Sequence, residues 1–195
     1  MSEPMWRAEL ADAQLRGDLD RAHPERVQLR PRDLDGVKQA MDLVDGMWAP
    51  TLDRARRLPP EPLHVRVDGE YSFVETLRHL LFAGDAWLQR MVLGVTDPFH
   101  EWGVPPDLPA DAPPDTGPGL ESVLEVRAER AARVRAHVAT LSDEDLHVRV
   151  GGPWDPPDLP TEHRARVIDC FRVVFREEWW HHQFAARDLG AIERR

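Results

Sequence analysis

Cysteine is almost missing from this chain. Cys170 stands alone among 195 residues, which excludes a disulfide framework and fits a reducing compartment. Long apolar runs are missing too, and no stretch approaches the roughly 20 residues that a membrane helix needs. The opening MSEPMWRAEL has neither the basic nor the apolar region of a signal peptide. A cytoplasmic protein without membrane contact is therefore expected. Clusters of basic residues are also lacking. The formal net charge is −10, and in RAERAARVRAH Glu129 interrupts the arginines. Binding to nucleic acid is not expected, because counterion release needs concentrated Lys and Arg.

What is present suffices for one folded domain with an extra arm. Hydrophobic residues make up 42% and charged residues 31%, and a chain of this length buries a core without disulfide or metal staples. Residues 1–31 read as a polar arm of weak helical character and 32–195 as a helical bundle. Four segments carry helical periodicity. The first runs from about Asp35 to Arg57, with Val37, Met41, Val44 and Trp48 in phase; Pro50 inside it is expected to kink or divide it. The second has the clearest start, a Ser72/Glu75 capping box ahead of Phe73, Leu77, Leu80, Leu81 and Leu88, with Gly94 as its stop. The third covers about Leu120 to Leu141. The fourth covers about Glu162 to Leu189, with Gly190 as its C-terminal cap. The segment LHVRVDGEYS can hold a short strand. With no βαβ alternation, the fold class is all-α, an antiparallel-type four-helix bundle.

The proline-rich stretches all fall between these helices. DPFHEWGVPPDLPADAPPDTGPG and VGGPWDPPDLPTEH are long for loops in a compact domain, unless they cover a site. Each contains one tryptophan, Trp102 and Trp154. Ordered flaps on the bundle are expected, with these two rings and His100 as candidate walls of a substrate pocket.

The fourth helix holds the densest chemistry. REEWWHHQFAARDLG contains two interleaved i, i+4 pairs, Glu177 with His181 and Glu178 with His182. That spacing stacks a carboxylate and an imidazole on one helix face, the arrangement with which a helix chelates a divalent ion. Asp169, Arg172, Arg176, Gln183 and Arg187 mark the wet face, and Glu178 lies almost opposite it. Glu178 and His182 are therefore the preferred ligands, with Glu177 and His181 as the second register. His79, the one histidine inside the second helix, is the natural third ligand, although it sits on the shoulder of its apolar stripe. Two imidazoles and one carboxylate leave coordination positions open, as catalytic metals require.

Simpler roles exist for every one of these residues. Acid–imidazole pairs on helices are usually solvated salt-bridging faces, and a lone His79 is usually a hydrogen-bonded core residue. Trp48, Trp87 and Trp179 read as packing. Trp180 falls on the wet face, where a flap, the arm or a second subunit of a homodimer can cover it. Cys170 reads as an inert buried thiol.

SFVETLRHLLFAGDAWLQRMVLG with PFHEWGVP, and IDCFRVVFREEWWHHQFAARDL, resemble the second helix, the loop after it and the last core helix of actinobacterial DinB-family proteins; LDRAHPERVQL resembles their pre-bundle segment. The likeness spans most of the chain. It implies a four-helix bundle with a divalent metal, often nickel or zinc, held by His79 and by two residues four apart on the last helix. Those map to Glu178 and His182, or one residue earlier. Many relatives have histidine at the first of these two positions; the glutamate here resembles the mycothiol-dependent maleylpyruvate isomerases of the same superfamily. The sequence departs from those isomerases in lacking an obvious second, thiol-cofactor domain.

The resemblance implies a metal-dependent S-transferase or isomerase that uses a low-molecular-weight thiol such as mycothiol and an electrophilic substrate. The residues themselves supply only the metal; the resemblance supplies the thiol. A metal-dependent hydrolase, with Glu177 as general base, is the second reading. A non-catalytic, stress-linked binding bundle is the third.

Overall fold

The computed structural model describes residues 13–106, 113, 116–156 and 158–194. Among these residues six α-helices follow in order: α1 (Ala13–Ala22), α2 (Glu25–Gln28), α3 (Leu34–Ala55), α4 (Phe73–Gly84), α5 (Leu120–Val138) and α6 (Val167–Ile192). The last four make the bundle. Among the described residues there is no strand, and the one isolated bridge joins Arg149 to Arg166. The segment after α3 forms a 3₁₀ turn at Glu61–His64 and then a reversal at Asp68 and Gly69, both at positive φ, instead of a strand.

Local signals explain most of the helix ends. Asp33 caps α3 by accepting from the Gly36 amide, and Pro50 sits inside a helix that remains undivided. Ser72 and Glu75 form the reciprocal capping box at the start of α4. This helix passes directly into a π-helical segment, Asp85–Arg90, and the chain turns away at Gly94, whose φ of 71° suits a residue without Cβ. Gly190 does not end α6, which continues to Ile192. Burial of Leu189 and Ile192 and the Arg54–Glu193 ion pair hold that last turn in place.

Contacts along the helices fix their directions. Arg135 meets Asp42 and Asp45 while Arg56 meets Glu121, so α3 and α5 are antiparallel. Trp48 bonds to Glu178 and Arg54 to Glu193, so α3 and α6 are parallel. Arg127 reaches the Leu77 carbonyl, Gln89 the Arg130 carbonyl, and Leu88 packs in one cluster with Val134 and Val138, so α4 and α5 are parallel. The bundle is thus up-down-down-up. Parallel neighbours cannot be joined by a tight turn, and the long connection from α4 to α5 follows from this. The closest packing is of α6 against α4 and α3; α3 and α5 touch at only a few points.

The N-terminal helices lie across α6. Arg26, itself buried, places its guanidinium over the rings of Trp179 and Trp180, and Glu25 accepts from Trp179 Nε1 at 3.1 Å. Trp180, on the wet face by periodicity, is only 5% exposed. The arm supplies the cover. No helix among the described residues is long and apolar enough to cross a membrane.

Candidate metal centre

The tight α4–α6 contact brings three potential ligands together. One donor atom each from His79, Glu177 and His181 lie within 4.8 Å of one another. Glu177 Oε2 is 4.0 Å from His79 Nε2 and 3.6 Å from His181 Nδ1, and the two imidazole rings are 4.7 Å apart. This is the second register of the i, i+4 pairs.

Each histidine is oriented by a backbone carbonyl. His79 Nδ1 lies 3.0 Å from the Val104 carbonyl, and His181 Nδ1 lies 3.0 Å from the Glu177 carbonyl one turn earlier. A carbonyl only accepts, so each ring carries its proton on Nδ1 and presents a bare Nε2. Metal-bound histidines are commonly held in this way. Val104 reaches His79 because the loop runs back along α4: Arg78 Nε donates to the Trp102 carbonyl, and the Val104 amide to the Arg78 carbonyl. Tyr71 stacks on His79 at 5.4 Å and donates its hydroxyl to the carbonyls of Pro105 and Pro106.

The protonation states favour a cation. Burial, and after it the neighbouring His79, pushes the His181 imidazole below its ordinary value. Burial acts to raise Glu177, but its interactions with His79, His181 and Arg176 outweigh it and hold the carboxyl low. Two imidazoles and a carboxylate form an N/N/O donor set suited to zinc or nickel.

The preferred register goes elsewhere. Glu178 accepts from Trp48 Nε1 at 2.8 Å and from Arg127 at 2.9 Å, and His182 Nε2 lies 2.9 Å from Thr51 Oγ1. Both face α3 and α5, away from His79. Of the four candidate ligands on α6, Glu178 is the most buried, at 7% exposure. However, the candidate ligands His79 and Glu177 meet shoulder to shoulder, where α4 and α6 touch. The site belongs to that seam and not to the centre of the core.

The pocket candidates from the loops are distributed more widely. His100 Nδ1 accepts from the Trp102 amide, and the His100 amide donates to the buried Asp85. Trp154 packs against Phe82 and Trp87 and is 62% exposed. The loop residue that touches the triad through a hydrogen bond is Val104, which sequence reasoning missed because a backbone carbonyl has no residue signature. Cys170 is fully buried, and burial pushes its thiol up to about 12.

A four-helix bundle with an inward His/Glu/His seam is a recognisable class of metal-site scaffold. Within it, the sequence model of the DinB superfamily matches residues 43–185. The chain belongs to the DinB superfamily. No curated protein and no solved structure matches it.

Proposed function

We propose that this protein binds one divalent metal ion through His79, Glu177 and His181 and uses it as a low-molecular-weight-thiol-dependent S-transferase or isomerase. The observation that carries the reading is the convergence of donor atoms from His79, Glu177 and His181 within 4.8 Å of one another, with the Nδ1 atom of each histidine at a backbone carbonyl. A divalent ion at such a site, nickel or zinc, supplies a thiol substrate with the means to stay deprotonated at neutral pH. Tyr71 and Phe184, which pack on His79 and His181, give the site apolar flanks. Trp102, Trp154 and His100 extend the proposed substrate pocket on the loop side.

The hydrolase reading loses its general base. Glu177 sits among the proposed ligands, so it is not available to take a proton from water. A thiol held as thiolate needs no separate base, and this favours thiol chemistry over hydrolysis. Mycothiol is the thiol indicated by the likeness to maleylpyruvate isomerases.

The test is metal content by mass spectrometry on untagged protein, wild type beside His79→Ala, Glu177→Ala and His181→Ala. Near-stoichiometric metal in the wild type, lost in all three variants, is expected. Metal-dependent consumption of mycothiol with an electrophile, without ester or amide hydrolysis, then completes it. Absence of metal after reconstitution overturns the reading, and hydrolysis without thiol consumption returns the second one.

A further inference from the structure

The arginines are scattered along the sequence, but the fold gathers some of them. Where the N-terminal segment crosses α6, a cleft of about 1010 Å³ lies between the two, with the start of α3 at its edge. Six arginines line it, Arg16, Arg26, Arg30 and Arg32 from the N-terminal segment and Arg172 and Arg176 from α6. They are six of the 25 Lys and Arg residues in a chain whose formal net charge is −10, so this cleft is a positive site on an acidic molecule.

Specific contacts set these side chains close together. Arg172 donates from Nε and Nη2 to the Pro31 carbonyl at 3.0 and 2.7 Å. Pro31 stands between Arg30 and Arg32, so three arginines meet around that carbonyl. One turn further along α6, Arg176 lines the cleft with Trp179, whose ring carries the Arg26 guanidinium at 4.5 Å. Arg172 and Arg176 are four residues apart and share a helix face, about 6 Å apart along the axis. A solute can reach these groups. The side chains of Arg30, Arg172 and Arg176 are 39%, 33% and 26% exposed, and Arg32 is exposed.

The neighbouring carboxylates are shared or committed elsewhere. Asp20 accepts from both Arg26 and Arg30, and Asp169 from both Arg166 and Arg172. Asp33 caps α3 through the Gly36 amide, and the exposed Asp35 faces Lys38. The resulting excess of positive charge is felt by the arginines themselves. Burial, and after it the charge of Arg30, pushes Arg26 down to about 10, and burial lowers Arg176 against the opposing pull of Glu177.

We propose that this cleft binds a small organic dianion, with one anionic group beside Arg172, Arg30 and Arg32 and the other beside Arg176. The two points of positive charge along α6 select two anionic groups over one. Guanidinium pairs with carboxylate and phosphate alike, so either kind of group fits. The acidity of the chain as a whole selects a small ligand over a polyanionic macromolecule. Arg176 borders the triad, its Nη2 3.8 Å from Glu177 Oε1, but none of the proposed metal ligands lines the cleft. The inference therefore stands apart from the metal reading.

Calorimetric titration of the full chain at low salt tests it with two matched pairs of probes, adipate with hexanoate and butanediol bisphosphate with butyl phosphate. Wild type is expected to bind a dianion saturably, one per chain, and about tenfold more tightly than its monoanionic counterpart. Added salt is expected to weaken that binding. The pair that shows the preference identifies carboxylate or phosphate as the group recognised. Arg176→Gln is expected to remove the preference, and Arg32→Glu, at an exposed position that is safe for folding, to weaken the dianion by about tenfold. His79→Ala is expected to bind the dianion as wild type does. No saturable binding by wild type, equal affinity for dianion and monoanion in both pairs, or affinity untouched by both arginine variants overturns the proposal. Loss of binding in His79→Ala that retains its helical circular dichroism also overturns it, by placing the anion at the metal seam.

Discussion

His79 Nδ1 and the Val104 carbonyl lie 3.0 Å apart across 25 residues of sequence, and this contact decides which nitrogen of His79 faces Glu177. The loop after α4 thus acts on the seam between α4 and α6 through its backbone. It is held in place by Arg78, which binds the carbonyl of Trp102.

Arg78→Ala is expected to loosen that loop without removing a ligand. Outer supports of metal-bound histidines typically contribute about 10- to 100-fold in affinity. Competition with a chromogenic chelator measures it. Saturating metal should still reach full occupancy, and unchanged affinity would mean that Val104 does not orient the ring.

Glu178→Ala separates the two registers. It strips Arg127 and Trp48 of their shared carboxylate in a nearly buried setting. A loss of about 2–4 kcal/mol in urea unfolding is expected, since breaking such a pair strands a charge. Metal content should stay near wild type in the folded protein. Loss of metal without loss of stability would place Glu178 in the metal site.

The pH dependence follows from His181 and Glu177. Both have lower pKa values in the folded chain than when free. Each therefore contributes stability above its unfolded value, about 6.5 for His and 4.3 for Glu, which fades as pH falls through its folded value. His182, lowered by its own burial against the opposing pull of Glu178, acts in the same window as His181. The urea midpoint of metal-free protein should be flat above neutrality and begin to fall below about pH 6.5. Metal affinity should likewise fall below that point, as protons compete for His181. A midpoint that rises on acidification would contradict the assignment.

Gly84→Ala should stabilise the protein. Gly84 has helical φ and ψ, and an added Cβ meets nothing. A gain of about 0.5–1 kcal/mol is expected from the reduced freedom of the unfolded chain. Thermal melting of the two proteins side by side checks it.

Cys170 should not react with Ellman's reagent in native buffer at mildly alkaline pH, because its thiol is buried and raised to about 12. Full reaction on addition of denaturant is the expected control. Rapid native labelling would mean that the Gly151 turn, whose carbonyl lies 3.9 Å from the sulfur, opens readily.

The four bundle helices were legible because their signals are local: a capping box at Ser72, apolar phase in α3 and α4, and glycine at the end of the π segment. The register of the site was less so. Periodicity ranks residues by depth, and by depth Glu178 leads; a site at a seam instead uses residues from the shoulders of two helices, which requires knowing how the helices meet. The same limit explains Trp180, whose cover comes from Arg26, more than 150 positions away. The π-helical segment at Asp85–Arg90 has no sequence signature, and its stabilising contacts to His100 and Arg130 are tertiary. Gly190 looked like a stop because the burial of Ile192 beyond it is also tertiary.

The up-down-down-up order has a consequence for how this chain can vary. Because α4 and α5 point the same way, the chain must travel the length of the bundle between them, and the first part of that return carries the carbonyl that fixes His79. A shorter link could still join the helices but would strip the proposed metal seam of its orienting group. Length changes between Gly94 and Val104 would therefore move that carbonyl off His79, which ties this part of the link to the proposed centre.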